Sequence, residues 1–186
     1  MIVLASGSPR RHSLLTSAGY VLTVAPSDVD ESPLTDEAPE DTAIRLARIK
    51  ASAAQTECVV LAADTIVHLD GSMLDKPHDR ATARTHLQRL SGRWHEVTTG
   101  VCVRQGDRYT QLRETTRVRF RNLTAPEIER YLETGEADDK AGAYGIQGLA
   151  AAFVAEVIGS WTNVVGLPLE RCIDCLKTYE VFPDAP

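Results

Sequence analysis

The chain has 186 residues, with 20 Lys plus Arg against 26 Asp plus Glu and a formal net charge of −6, a balance that argues against a duplex-coating protein. Its 43% hydrophobic and 25% charged residues describe a globular chain rather than a disordered one. Its longest apolar stretches, such as Cys58–Ala63, fall far short of the ~20 residues of a membrane helix. No basic segment followed by an apolar one opens the chain, so a reducing cytoplasm is the expected compartment.

Ile2–Ala5 predicts a short strand, followed by a helix with Ser8 as N-cap and Pro9 at its first position. Leu14, Leu15 and Ala18 give that helix an apolar face, and Gly19 ends it. Tyr20–Ala25 reads as a second strand. The stretch Asp28 to Asp41 carries seven acidic residues and no Lys or Arg, and is expected to be a solvated loop. From Thr42 to Gln55, Ala43, Leu46, Ala47, Ala51 and Ala54 share one helical stripe. Cys58–Ala63 predicts a strand ending at Asp64, and Thr65–Leu69 with Asp70-Gly71 predicts a hairpin or tight return. Ala83, Leu87 and Leu90 mark a further helix. His95–Arg104 and Tyr109–Phe120 form the clearest hairpin. Thr124-Ala125-Pro126-Glu127 is a capping box that turns Ile128, Tyr131 and Leu132 inward, with Gly135 as the stop. Ala141–Ala152 is rich in Gly and Ala, and a last helix starts near Pro168. Helices and strands alternate early around an antiparallel insert, which predicts an α/β fold with a mixed sheet.

Five constellations offer chemistry. Ser6-Gly7-Ser8-Pro9-Arg10-Arg11 runs from a strand end into a helix N-terminus, where free N–H groups, hydroxyls and two guanidinium forks suit an anion. The bland alternative is a capped helix with two exposed arginines. Lys50 sits within the apolar stripe, so it either snorkels to the edge, the simpler reading from the stripe alone, or meets a buried anion. Asp64 ends an apolar strand, where α/β sheets bind ligands; it can serve as a base, hold a hard cation, or make a turn. Lys76 and Glu31 add a cation and a second carboxylate. Arg93 and His95, after the Ser91-Gly92 stop, either face a ligand or form a structural corner, the simpler reading. Asp139–Gly148 packs three glycines, Tyr144 and Gln147 into ten residues, and a Gln amide can pair with a nucleobase edge. Cys172-x-x-Cys175 is half of a zinc site or a redox pair, or helix core beside Leu169, Ile173 and Leu176. A Ser–His–Asp hydrolase lacks the GxSxG elbow. A single-strand nucleic-acid binder lacks aromatic residues, at 5%.

The ordered blocks Leu4–Arg11, Leu46-Ala47-x-x-Lys50-Ala51, Ala63–Val67, Lys76-Pro77, Leu90–Arg93, Asp139–Gly148 and Val164–Pro168 resemble the Maf family of nucleotide pyrophosphatases over nearly the whole chain. The resemblance implies one domain, residues 1–186, with an elongated mixed sheet flanked by helices and two lobes about a central cleft. It implies cytoplasmic hydrolysis of nucleoside triphosphates to monophosphate and pyrophosphate with a divalent cation, Mg²⁺ or Mn²⁺, and a homodimer without nucleic-acid or membrane partners. It assigns Arg10, Arg11, Lys50 and Lys76 to the triphosphate, with Ser6 and Ser8 assisting. Asp64 takes the water proton, and Glu31 and Asp64 hold the metal. Thr65 and Gln147, with Arg10, fall at specificity positions and match the branch acting on dTTP and UTP. Leu149-Ala150-Ala151 departs from the pattern, where relatives often carry another Gly. A nucleotide-sensing regulator of cell division, working through a protein partner, is the competing expectation; it shares the cradle but needs neither Asp64 nor a metal for turnover.

Overall fold

Pairing along one strand organises the chain. In the computed structural model, which describes residues 1–32 and 34–184, β1 (Ile2–Leu4) lies between β2 (Leu22–Val24) and β3 (Val59–Leu69), parallel to both. β5 (Trp94–Gln105), β6 (Arg108–Phe120) and β7 (Val154–Ile158) extend the sheet antiparallel, in the order β2-β1-β3-β5-β6-β7. The short β4 (Ser72–Met73) folds back on β3 through the Asp70-Gly71 turn. The helices are α1 (Pro9–Ser17), α2 (Pro39–Ala53), α3 (Arg80–Leu90), α4 (Ala125–Leu132), α5 (Trp161–Val165) and α6 (Leu169–Lys177). This is the mixed α/β sheet read from the sequence. No helix is long and apolar enough to cross a membrane among the described residues.

Alternation along β3 places its side chains in different layers. Leu61 and Ala63 join Ile2, Leu4, Leu15 and Leu176 in a core under α1 and α6. Farther along the same face, Val67 and Leu69 join Leu87, Leu90, Phe120 and Phe153 in a second core under α3 and α4. On the opposite face Val60 and Ala62 pack against Ala47 and Ala51 of α2. Asp64 and Thr65 lie on β3 between the stretches that feed these two larger cores.

Several boundaries differ from expectation, each for a physical reason. β3 does not end at Asp64: pairing with β5 continues unbroken from Val60↔Arg104 to His68↔Glu96. What ends there is β1, whose last pair is Leu4↔Leu61. Asp64 therefore sits at a fork, where β3 loses its parallel neighbour while keeping its antiparallel one. α2 begins at Pro39, so residues 39–41 leave the expected acidic loop; Pro39 at the first position and Glu40 and Asp41 in the first turn suit a helix N-terminus. Position 33 of that stretch lies outside the described residues. β7 and α5 have no counterpart in the sequence reading, since the five residues of β7 form a short edge beside a Gly- and Ala-rich tract.

Candidate active site

The capped strand-to-helix turn forms as the sequence predicts. Ser8 caps α1, its Oγ accepting the Arg11 backbone N–H at 3.5 Å, and Pro9 follows at the first helical position. Ser6, 8% exposed, closes the strand side of the turn. Arg11 does not hang free: Nε donates to the Gly166 carbonyl at 2.8 Å, and its two terminal nitrogens donate to Ser6 Oγ and Thr65 Oγ1, each at 3.0 Å. Burial pulls this guanidinium below its ordinary value, and Asp64 pulls it back up. Arg11 is thus a strut tying α1, β3 and the loop before α6. Arg10 faces the cleft and reaches toward Asp139 across it, at 3.8 Å.

Lys50 decides between its two readings. It is 8% exposed, and its Nζ donates to Asp64 Oδ1 at 2.6 Å while lying 3.0 Å from Glu31 Oε1. The ammonium meets a buried anion rather than snorkelling. Two carboxylates, 19 residues before it and 14 after it, converge on this one cation. Asp64 Oδ2 accepts no hydrogen bond from the protein among the described residues, so one oxygen faces the cleft uncommitted. Thr65, next in sequence, points to the other side of β3, where its hydroxyl joins Arg11 and lies 2.9 Å from Thr99 Oγ1.

Ser6, Ser8, Arg10, Arg11, Glu31, Lys50, Asp64, Thr65, Lys76 and Gln147 all line a single cleft of about 1150 Å³. Lys76 is exposed on the loop before α3 and forms no ion pair among the described residues. Gln147 is exposed on the opposite wall. That wall is braced twice: Gly142 donates its N–H to the Leu74 carbonyl at 2.7 Å, and Tyr144 rests on His95. The Tyr144 hydroxyl and His95 Nε2 share a hydrogen bond of 2.7 Å, with Phe120 packed edge-on to both rings. His95 is the structural corner the sequence predicts. Glu136, which the sequence reading passed over, also lines the cleft; its carboxylate accepts from the Tyr131 hydroxyl and from backbone amides of the next loop, partners that carry no motif of their own.

Burial, with His68 acting in the same direction, holds His95 down to about 3, so it is neutral in the folded protein. The unfolded chain takes up that proton near 6.5. Between those values the unfolded state binds more protons, so stability falls as pH drops. From pH 6 to pH 4 the wild type is expected to lose about 2 kcal/mol more stability than His95→Gln, read from urea melts at each pH. Parallel slopes for the two proteins would contradict the neutral, buried imidazole.

Two other groups lie apart from the cleft. Cys172 and Cys175 are buried free thiols, and burial pushes Cys172 well above the usual thiol range. Among the described residues no further ligand joins them, so they are helix core. Glu40, His68 and Glu96 gather their ligand atoms within 4.8 Å of one another, but none of the three lines the cleft.

The model of the Maf-like protein family matches residues 1–179. The chain belongs to the Maf family. Among its Maf relatives, it is 48% identical over 181 residues to a dTTP/UTP pyrophosphatase of Symbiobacterium thermophilum, covering 96% of this chain and 93% of that protein. It is 52% identical to a dTTP/UTP pyrophosphatase of Anaeromyxobacter dehalogenans, covering 95% and 92%. The solved structure of a HAM1 protein from Coxiella burnetii aligns with this Maf chain at a TM-score of 0.52 and 17% identity, over 95% of this chain and 98% of that one, and shares its fold.

Proposed function

We propose that this Maf protein hydrolyses dTTP and UTP to the monophosphate and pyrophosphate in the cytoplasm, with CTP and modified pyrimidine triphosphates as further candidates. One observation carries the reading: Lys50 bridges Asp64 and Glu31 inside a cleft whose other walls supply Arg10, Arg11, Lys76 and the Gln147 amide. Fixed cations offset charge that grows on a departing pyrophosphate, and their effect is strongest where water is excluded. Asp64 is the base. Its free oxygen takes a proton from water as the water oxygen bonds to the α-phosphorus, and the bond to the bridging oxygen breaks to release pyrophosphate. Lys50 holds Asp64 in place, and Lys76 and Arg10 bind phosphate oxygens. Arg11 contributes its remaining N–H donors while holding the cradle's shape through Ser6 and Thr65.

The metal suits the residues present. Glu31 and Asp64 offer only oxygen, and a small hard cation takes one or two carboxylates together with phosphate oxygens and water. The convergence of both carboxylates on one ammonium marks the place as one that calls for positive charge. When bound, Mg²⁺ or Mn²⁺ would supply charge neutralisation on the phosphates. The two lobes act as one domain across residues 1–186, and the protein works as a homodimer. Pyrophosphate release measured over a panel of triphosphates, with Mg²⁺ or Mn²⁺ and with EDTA, tests the reading; turnover that ignores EDTA would remove the metal from it.

Gln147 sets base choice. Its amide offers a donor and an acceptor, as a pyrimidine edge requires, whereas a carboxylate only accepts. Gln147→Glu is expected to lower kcat/KM for dTTP and UTP by at least about tenfold. Unchanged relative kcat/KM across the panel would detach Gln147 from base choice.

A further inference from the structure

Glu136 has no part in the hydrolysis described above, yet the wall of the cleft is built around its carboxylate. Oε2 accepts the Leu149 N–H at 2.9 Å, and Oε1 accepts the Tyr131 hydroxyl at 3.1 Å and the Ala150 N–H at 3.4 Å. Its backbone carbonyl accepts Lys140 Nζ at 2.7 Å. Burial and the adjacent Glu136 carboxylate push Tyr131 above the usual phenol range, so its hydroxyl remains a donor. Between these attachments the Gly148 N–H closes a turn on the Gly145 carbonyl at 3.0 Å, with Gln147 inside the turn.

The same arrangement explains two glycines that ordinary packing does not require. A Cβ on Gly148 would stand 2.3 Å from Glu136 Oε2, and one on Gly145 would stand 2.8 Å from the Lys140 side chain. Neither glycine needs a left-handed backbone, since only Gly142 of the three in this block has a positive φ. Their small size makes room for the clamp.

We propose that Glu136 is a positioning residue for specificity: by fixing the backbone at 148–150 it sets where the Gln147 amide stands against the base of the nucleotide. This rests on the reading of Gln147 above. Charge-assisted bonds to two successive amides make the carboxylate a stiffer anchor than a neutral side chain. A specificity contact displaced by even an ångström loses most of its value.

Glu136→Ala and Glu136→Gln test it, with Gly148→Ala as an independent way to displace the carboxylate. For Glu136→Ala, KM for dTTP is expected to rise about tenfold while kcat changes less than about threefold. Gln keeps one acceptor oxygen and is expected to fall between Ala and the wild type. Competitive inhibition by inorganic tripolyphosphate, which has phosphates but no base, is expected to stay as in the wild type. In the nucleotide-free protein, exchange of the Leu149 amide is expected to accelerate at least about tenfold, with the sheet amides unchanged. Equal weakening of dTTP and tripolyphosphate would make Glu136 a general packing residue and overturn the proposal, as would an unaltered KM. Unaltered Leu149 exchange would overturn the clamp itself. A wild type with no turnover of any triphosphate, but with Leu149 exchange that responds to Glu136→Ala, would overturn the assigned activity and the base-positioning role while leaving the clamp.

Discussion

Asp64→Asn is expected to fold like the wild type and to release pyrophosphate at least about 10³-fold more slowly. The substitution keeps the shape of the side chain, and the amide oxygen still accepts from Lys50, so the change in stability is expected to stay near about 1 kcal/mol. What disappears is basicity: an amide cannot take the proton of an attacking water. The carboxylate occupies a demanding place, 9% exposed with Lys50 Nζ at 2.6 Å. Glu31 shares the same ammonium, at 3.0 Å, but its side chain is half-exposed. A thermal melt and a pyrophosphate-release assay on the purified variant decide the matter. Turnover within tenfold of the wild type would mean that water is activated elsewhere.

How far the site could be read in advance depended on how local its signals are. The Ser8 cap on the Arg11 N–H and the Thr124/Glu127 box each join residues three apart, and both appear as expected; Thr124 N–H donates to Glu127 Oε2 at 2.8 Å. Lys50 shows the limit. Its stripe on α2 is local, but its partners come from the loop before that helix and from β3, so the stripe alone favoured snorkelling. Arg11 shows a different limit. Sequence gives the charge and planarity of the fork but not that three of its bonds are spent within the protein. The strand boundary at Asp64 was misplaced because a change of neighbour within a sheet, unlike a turn, leaves no breaker residue in the sequence. The motif blocks of the family supplied what local chemistry could not, namely that these separated segments meet.

Gly100→Ala is expected to cost about 3 kcal/mol and to lower kcat beyond what partial unfolding explains. Gly100 lies on β5 opposite Asp64 in the register. Its bare backbone lets α2 settle directly on the sheet: an added Cβ would stand 2.3 Å from the Ala43 carbonyl oxygen and 2.6 Å from the Ile44 nitrogen. Both are helix backbone atoms that no rotamer change can move aside, so α2 must lift or tilt. The small residues Ala47 and Ala51 facing β3 make the same close approach, and Lys50 rides between them. A shift of an ångström at Ala43 would carry into the short contact of Lys50 with Asp64, linking a packing change to catalysis. Gly106→Ala is the control: nothing stands within 4 Å of its Cβ, and only its φ of +54° opposes the substitution, at about 1 kcal/mol. Urea melts give the stabilities, and assays at temperatures where each variant is fully folded give kcat. A Gly100→Ala protein with wild-type kcat would show that the Lys50–Asp64 contact tolerates helix movement, and the close seating of α2 would then serve the fold alone.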